Sequence, residues 1–174
     1  MKEKIIFFEE VVEPNIGVAE KSDDLKKRVM ELLHQYPDHF VPGLFEEVAE
    51  KDFEDSDIMV ATIDNQVIGC LMFNRKTNAF NWLAISKSIK GSKAVIAKQL
   101  FENFYHSIEP GTPVHLFVST EDASISEHKS FSGKNFEPAR NLYKSMGLVL
   151  DKKNIIKDYY GEGAHVYKVE WKIK

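Results

Sequence analysis

Hydrophobic positions along the chain fall into runs of two different periods. Ile5–Val12, Ile58–Ile63, Gln66–Phe73, Phe80–Ile85, Val114–Thr120 and His165–Ile173 are rich in β-branched and aromatic residues. Such runs predict strands. Between them, apolar residues recur at three- and four-residue spacing, which predicts helices. Leu25, Val29, Leu32 and Leu33 mark a helix from Asp24 to about His34. Ser22 or Asp23 caps it and Pro37 stops it. A second, short helix over Pro42–Lys51 carries Leu44, Phe45 and Val48. Ala97, Leu100, Phe101, Phe104 and Ile108 form the stripe of a longer helix. The last helix starts at Pro138, a residue suited to the first helical position. Its inward stripe is Ala139, Leu142, Tyr143 and Met146, and Gly147 ends it.

The punctuation between these runs sets the topology. Pro14 and Gly17 end the first strand. Asp64-Asn65 separates two apolar runs and predicts a tight hairpin. Asn74–Asn78 is a further polar turn, so the strands from Ile58, Gln66 and Phe80 read as an antiparallel meander. Pro110-Gly111 breaks the chain after the long helix. The strand Val114–Thr120 thus follows a helix that follows a strand, and is predicted to lie parallel to Phe80–Ile85. Glu121–Lys134 is polar and irregular, and loops of this length are often functional. Leu148–Lys157 reads as one bent strand or two short ones. Gly161-Glu162-Gly163 makes a turn into the closing strand. No repeat or linker interrupts the series, so residues 1–174 are expected to form a single α/β domain around a mixed sheet.

Composition narrows the function classes. The 174 residues are 43% hydrophobic and 29% charged, ordinary for a globular chain. A net charge of −4 gives no reason to expect nucleic acid. No apolar run has the length of a membrane span, and MKEKIIFFEE is too acidic for a signal peptide. The lone Cys70, within VIGCLMF, reads as a small buried hydrophobe and cannot form an internal disulfide. A cytoplasmic protein without membrane attachment is the expectation. There is no CxxC, HExxH or GxSxG, and the six histidines are scattered, so no metal site is expected. The acidic run Glu46–Asp57 reads as a solvated face and loop. Its alternative reading is a field that draws a cationic substrate towards a nearby cleft.

The stretch FNWLAISKSIKGSKAVIAKQLFENF, Phe80–Phe104, holds the first candidate chemistry. A strand, a small polar turn and a helix leave free backbone N–H groups at the helix start. Those amides and the positive end of the helix dipole suit a phosphate. Lys87, Lys90 and Lys93 have the right sign of charge, although lysines in such a turn commonly serve only to meet solvent.

At FSGKNFEPARNLYKSMGL, Phe131–Leu148, the chain resembles the GNAT N-acetyltransferase superfamily. That family carries an alanine, a tyrosine four residues on, then glycine and an apolar residue. Here these are Ala139, Tyr143, Gly147 and Leu148. The ending DYYGEGAHVYKVEW is similar to the family's last hairpin, and the order of elements matches throughout. The resemblance implies a mixed, mostly antiparallel sheet of about seven strands, flanked by helices, whose two parallel central strands splay apart. It implies acetyl-CoA as cosubstrate, a primary amine as acceptor, and direct attack of the amine on the thioester. Dimers are common in the family, so a homodimer is one expected state.

The resemblance also assigns residues. The pyrophosphate loop falls on Lys90, Gly91, Ser92, Lys93, Ala94 and Val95. Lysine replaces the family's arginine, and Lys93 and Val95 stand where small residues are usual. Backbone amides can hold a phosphate without a particular side chain. The asparagine that the family often places three before the alanine is displaced to Asn135. Pantetheine would bond to the backbone of Leu83 and Ile85, and a main-chain N–H of that strand would polarise the carbonyl. Tyr143 would assist departure of the thiolate. Its plainer reading is a core tyrosine on a helix stripe. Many family members place a glutamate base on the fourth strand. This chain has Asn81 and Trp82 there, so Glu121 is taken as the candidate base, with Asp122 and His128 as substitutes. Ser130, Phe131 and Gly133 would shape the acceptor cleft. A non-catalytic acyl-CoA-binding module is the alternative, and a protein of the same fold that binds no CoA is the third reading.

Overall fold

The computed structural model describes residues 13–91 and 93–172. Among them, seven strands form one sheet in the order β1-β2-β3-β4-β5-β7-β6. The strands are β1 Asn15–Val18, β2 Asp57–Ile63, β3 Gln66–Asn74, β4 Ala79–Ile85, β5 Pro113–Ser119, β6 Ile155–Ile156 and β7 Val166–Lys172. The helices are α1 Asp23–His34, α2 Glu46–Asp55, α3 Lys93–Tyr105 and α4 Glu137–Ser145. The β4–β5 pair is parallel and every other pair antiparallel. This is the mixed, mostly antiparallel sheet with a parallel central pair that the sequence implies.

Local signals account for most boundaries. The Ser22 hydroxyl accepts from the Leu25 N–H and caps α1, with Asp23 and Asp24 in its first turn. Asp64 and Asn65 both have positive φ, 49° and 62°, as a two-residue hairpin requires. Gly147 ends α4 at φ 82°.

Three boundaries differ from expectation. The expected strand Ile5–Val12 lies outside the described residues. Asn15–Val18, taken as the end of that strand, instead forms edge strand β1 against β2. It buries little, so its pairing rests on backbone hydrogen bonds that leave no apolar pattern. The second helix begins at Glu46 rather than Pro42. Gly43, at φ 81°, holds the preceding segment out of the helix. Phe45, Ala49 and Phe53, four residues apart, are the residues that bury. Leu44 and Val48 stay partly exposed, and the acidic run supplies the helix itself rather than a loop. Leu148–Lys157 reduces to a short 3-10 turn and two-residue β6.

The sheet is buried on both faces. Phe73, Phe80, Phe101 and Phe104 pack with Leu71, Leu116 and Leu142 on the α3 side. Val29, Leu32, Phe40, Phe45 and Phe53 pack with Cys70, Met72 and Ala84 on the α1–α2 side. β4 crosses between these cores at one residue. Phe73 pairs with Phe80 and Met72 with Trp82, so Asn81 is an extra residue, a β-bulge. In an unbroken strand Phe80 and Trp82 would share a face. The bulge sends Phe80 into the α3 core and Trp82 towards α1 and α2.

The bulge also marks where the sheet opens. β4 pairs with β5 only at Ala79–His115 and Phe80–Leu116. Beyond Phe80 the two strands diverge, as the resemblance implies.

Candidate functional site

The divergence of β4 from β5 leaves a cavity of about 400 Å³. β4 contributes Asn81, Trp82, Leu83 and Ile85, and β5 contributes Phe117, Val118 and Ser119. The start of α3 adds Lys93, Ala94 and Ala97, and α4 adds Ala139, Leu142 and Tyr143. Tyr36, His39 and Phe40, after α1, close it from the other face of the sheet. The walls are mostly apolar, with few polar groups to orient a ligand.

The strand edge in this cavity carries backbone groups without a strand partner. Ser86 N–H donates to Ile68 O, which assigns the Ser86–Ile68 pair to the hydrogen-bonded class. Alternation along an antiparallel ladder turns Ala84 and Trp82 to β3 and Leu83 and Ile85 to the gap. The Ile85 carbonyl is taken by the Tyr36 hydroxyl. The bulge residue Asn81 has neither a β3 nor a β5 partner in register.

Tyr143 is held on α4, whose start carries Pro138 and whose buried face is Arg140, Leu142 and Tyr143. Its ring packs edge-on against Phe101, 5.9 Å between centroids. Its hydroxyl has no hydrogen-bond partner among the described residues, although the ring is only 6% exposed. Burial pushes its pKa well above the ordinary value of 10, so it stays protonated and can only donate or accept a hydrogen bond at neutral pH.

The structure brings together part of the sequence-derived set. Leu83, Ile85, Lys93, Ala94, Asn135, Ala139 and Tyr143 all line the cavity. Lys90, Gly91 and Val95 do not, and they stand exposed beside it. Gly91 has φ 105°, which favours glycine. Ser92 lies outside the described residues. Phe131 also lines the cavity, whereas Ser130 and Gly133 do not. Gly133 serves packing instead, since a Cβ there would lie 1.8 Å from the Thr120 carbonyl oxygen.

Glu121 is not on the cavity wall. It accepts a hydrogen bond from the Tyr167 hydroxyl at 2.7 Å and pairs with Arg140 at 3.5 Å. The hydrogen bond from Tyr167, more than the charge of Arg140, holds its pKa below the ordinary carboxylate value. A carboxylate so placed is a weak base outside the cavity lining. Buried Arg140 donates to the carbonyls of Ser119 and Gly133, tying the end of β5 to the loop before α4. Asp122 accepts from Thr120, and neither Asp122 nor His128 reaches the cavity. Cys70 is fully buried, and its thiol is pushed up to about 12, which bears out a packing role.

Two groups were not singled out by the sequence reading: His39 on the wall of this cavity, and Asp52 outside it, within the acidic run Glu46–Asp57. His39 Nε2 lies 2.7 Å from the Asn135 carbonyl oxygen, an acceptor, so Nε2 carries the proton. Nδ1 is buried with no partner among the described residues. Burial lowers the pKa of this histidine. Asp52 on α2 accepts from the Trp82 indole N–H at 2.6 Å. Neither residue lies in a recognisable motif. His39 sits in an aperiodic connection, and Asp52 looks like any other carboxylate of an acidic helix.

A second cavity, of about 620 Å³, opens on the α1–α2 face. It shares Phe45, Asn81, Phe117 and Tyr160 with the first, so the two meet at the bulge. Its own walls include Val48, Asp52, His115, Tyr159 and Lys168.

No family model matches the chain. A curated relative, the teichoic acid D-alanine hydrolase of Staphylococcus aureus (strain MRSA252), is 30% identical over 133 residues, 76% of this chain. The chain spans 29% of the length of that relative. Solved structures are similar over 92% of the chain. A GNAT family acetyltransferase from Elizabethkingia anophelis with acetyl-CoA bound has a TM-score of 0.65 at 12% identity, over 99% of its own chain. The aminoglycoside 6'-N-acetyltransferase from Enterococcus faecium has a TM-score of 0.62 at 11% identity, over 97% of its chain. With its bulged fourth strand and its diverging parallel pair, this chain has the fold of the GNAT acetyltransferases.

Proposed function

We propose that the protein is an acyl-CoA-dependent N-acetyltransferase, which moves the acetyl group of acetyl-CoA to a primary amine by direct attack. The observation that carries this reading is the cavity between β4 and β5, with unpaired strand groups on one wall and Tyr143 on another. The residues present fit an acyl-CoA. Leu83 and Ile85 turn backbone groups to the gap, as an extended pantetheine arm needs. The start of α3 meets the same cavity through Lys93 and Ala94, and amides at a helix start suit a diphosphate. The solved GNAT fold of similar shape with acetyl-CoA bound supports the same reading.

The bulge supplies the remaining element. The Asn81 N–H, without a strand partner, is the main-chain donor for the thioester carbonyl. In the transfer, the free amine nitrogen bonds to the carbonyl carbon, the carbon–sulfur bond breaks, and the proton that the nitrogen sheds passes through water to the departing thiolate, so that amide and CoA thiol are the products. Tyr143 donates a hydrogen bond to the sulfur as negative charge builds on it. A thiol has a pKa of about 8.5 and an unburied tyrosine about 10. With the phenol pushed higher still, a hydrogen bond rather than a full proton is what Tyr143 contributes.

The likeness to the hydrolase covers 29% of that protein and adds no reading of its own. The alternative is an acyl-CoA-binding module without turnover. One experiment separates the two: thiol release from acetyl-CoA is followed over a panel of primary amines, with CoA binding measured by calorimetry. Thiol release with at least one amine is expected. Binding without release across the panel selects the module, and no binding at all removes both.

A further inference from the structure

Among the described residues, Asp52 is the one carboxylate that lines either cavity. The acidic helix α2 turns its other acids outward, while Asp52 reaches the Trp82 indole at the mouth of the gap. Only one of its oxygens, Oδ2, has a protein partner among the described residues, and Oδ1 is left for a ligand. Burial is the main cause that raises its pKa. Neighbouring Asp55 adds to that effect, and the indole and Lys51 oppose it. Among the described residues, this carboxylate has no ion pair within 4.0 Å.

The walls around it are aromatic. Phe117 and Tyr159 stack at 5.2 Å with an interplanar angle of 15°, and Tyr160 meets Tyr159 edge-on at 4.7 Å. Phe45 packs against Tyr160 at 5.2 Å. A half-buried carboxylate beside ring faces is a seat for an organic cation. Four other titratable groups line the cavity, and burial raises the pKa of two of them, Tyr159 and Tyr160, which keeps both phenols neutral. Burial and nearby Lys168 lower the pKa of His115, which keeps it neutral, and Lys168 itself is an exposed side chain.

We propose that the second cavity is the acceptor's seat, and that it takes a primary ammonium borne on an aromatic or similarly flat scaffold. The ammonium rests on Asp52 and the scaffold lies against Phe117, Tyr159 and Tyr160. The proposal rests on the N-acetyltransferase reading for its meaning, because the seat joins the acyl-CoA cavity at Asn81. Trp82 lines the first cavity while it holds Asp52 in the second, so the seat stands one side chain from the gap. Asp52 here is a specificity-determining residue.

The chain has two tryptophans, which makes the test direct. The Trp82 indole N–H bonds to Asp52, whereas Trp171 packs against Tyr105 on the other side of the sheet. The indole N–H resonances of 15N-labelled protein are followed during titration with phenethylamine, and separately with neutral 2-phenylethanol. The amine is expected to shift Trp82 and leave Trp171 in place, and the alcohol to bind about tenfold more weakly or worse. Asp52→Asn keeps an acceptor for the indole and should weaken the amine by about tenfold, with CoA affinity unchanged. Val48→Phe, which narrows the cavity one turn from Asp52 and leaves the carboxylate and the two indoles in the chain, should also weaken the amine. An unmoved Trp82 resonance, equal responses to amine and alcohol, or an unchanged titration in both variants overturns the proposal. CoA binding, measured on the same samples without amine, tests the acetyltransferase reading separately.

Discussion

The β4–β5 pair has two halves that obey opposite rules. In the first half, Ala79 and Phe80 pair with His115 and Leu116, and the Phe80 ring sits among Phe73, Phe101 and Phe104 with centroids 4.8–5.6 Å apart. In the second half, from Asn81 onward, the same two strands share no pairing and enclose open volume. One inserted residue separates them. The contrast shows how a fold can hold unsatisfied backbone groups in a defined place: the dry half anchors the strands, and the bulge releases them. The energetic asymmetry follows. The closed half contributes to stability through burial, and the open half gives up ladder hydrogen bonds that a ligand can restore.

Substitutions can break that contrast. Phe80→Ala in the closed half should cost about 4 kcal/mol of folding stability by denaturant titration, because the aromatic cluster cannot collapse around the void. Ala139→Leu in the open half should cost under about 1 kcal/mol, since its side chain enters free space. It should nevertheless weaken CoA binding about a hundredfold in calorimetry, a loss of ~2.7 kcal/mol in affinity. Tyr143→Phe should lower kcat about thirtyfold, or ~2 kcal/mol, the worth of a hydrogen bond to a charged sulfur. Its stability should hardly change, because that hydroxyl has no protein partner among the described residues.

Smaller effects come from the titrating groups on the walls. His39 is held neutral by burial, so its folded pKa lies below the ordinary 6.5. Its contribution to stability is present in full above pH 6.5 and is lost as pH falls through the folded value. Urea midpoints measured from pH 7 downward should therefore fall less in His39→Gln than in the wild type. For Asp52 the sign is reversed. Its raised pKa means stability present at low pH and lost as pH rises through the folded value. Asp52→Asn should then be at least as stable as the wild type at pH 7 by thermal melting, which sets an Asp52 kept for its ligand apart from one kept for structure.

Most of the architecture was legible in the sequence because burial leaves a period. The meander from Ile58, the stripe on α3 and the Pro138–Gly147 helix are cases where one face meets the core. β1 was illegible because it pairs through its backbone with exposed side chains. The start of α2 was misread because Leu44 and Val48 look like core residues but line a cavity instead. In the site, the alanine–tyrosine spacing on α4 and the strand residues Leu83 and Ile85 could be located through the resemblance. Glu121 was chosen by its chemical type alone, and the tertiary fold gives it to Tyr167 and Arg140. The acidic run Glu46–Asp57 was legible as a solvated face or as a field for a cationic substrate, but neither Asp52 within it nor His39 could be singled out, since their meaning comes from Trp82 and Asn135, 30 and 96 residues away.

The account stands on the claim that the open half of β4 receives the acyl-CoA arm. Residue-resolved amide exchange along β4, with and without saturating CoA, tests it most directly. The Leu83 and Ile85 amides should exchange at least about tenfold more slowly when CoA is bound, while the β3-facing amides of Trp82 and Ala84 keep their rates. Protection that is unchanged at Leu83 and Ile85 under saturating CoA would contradict the account.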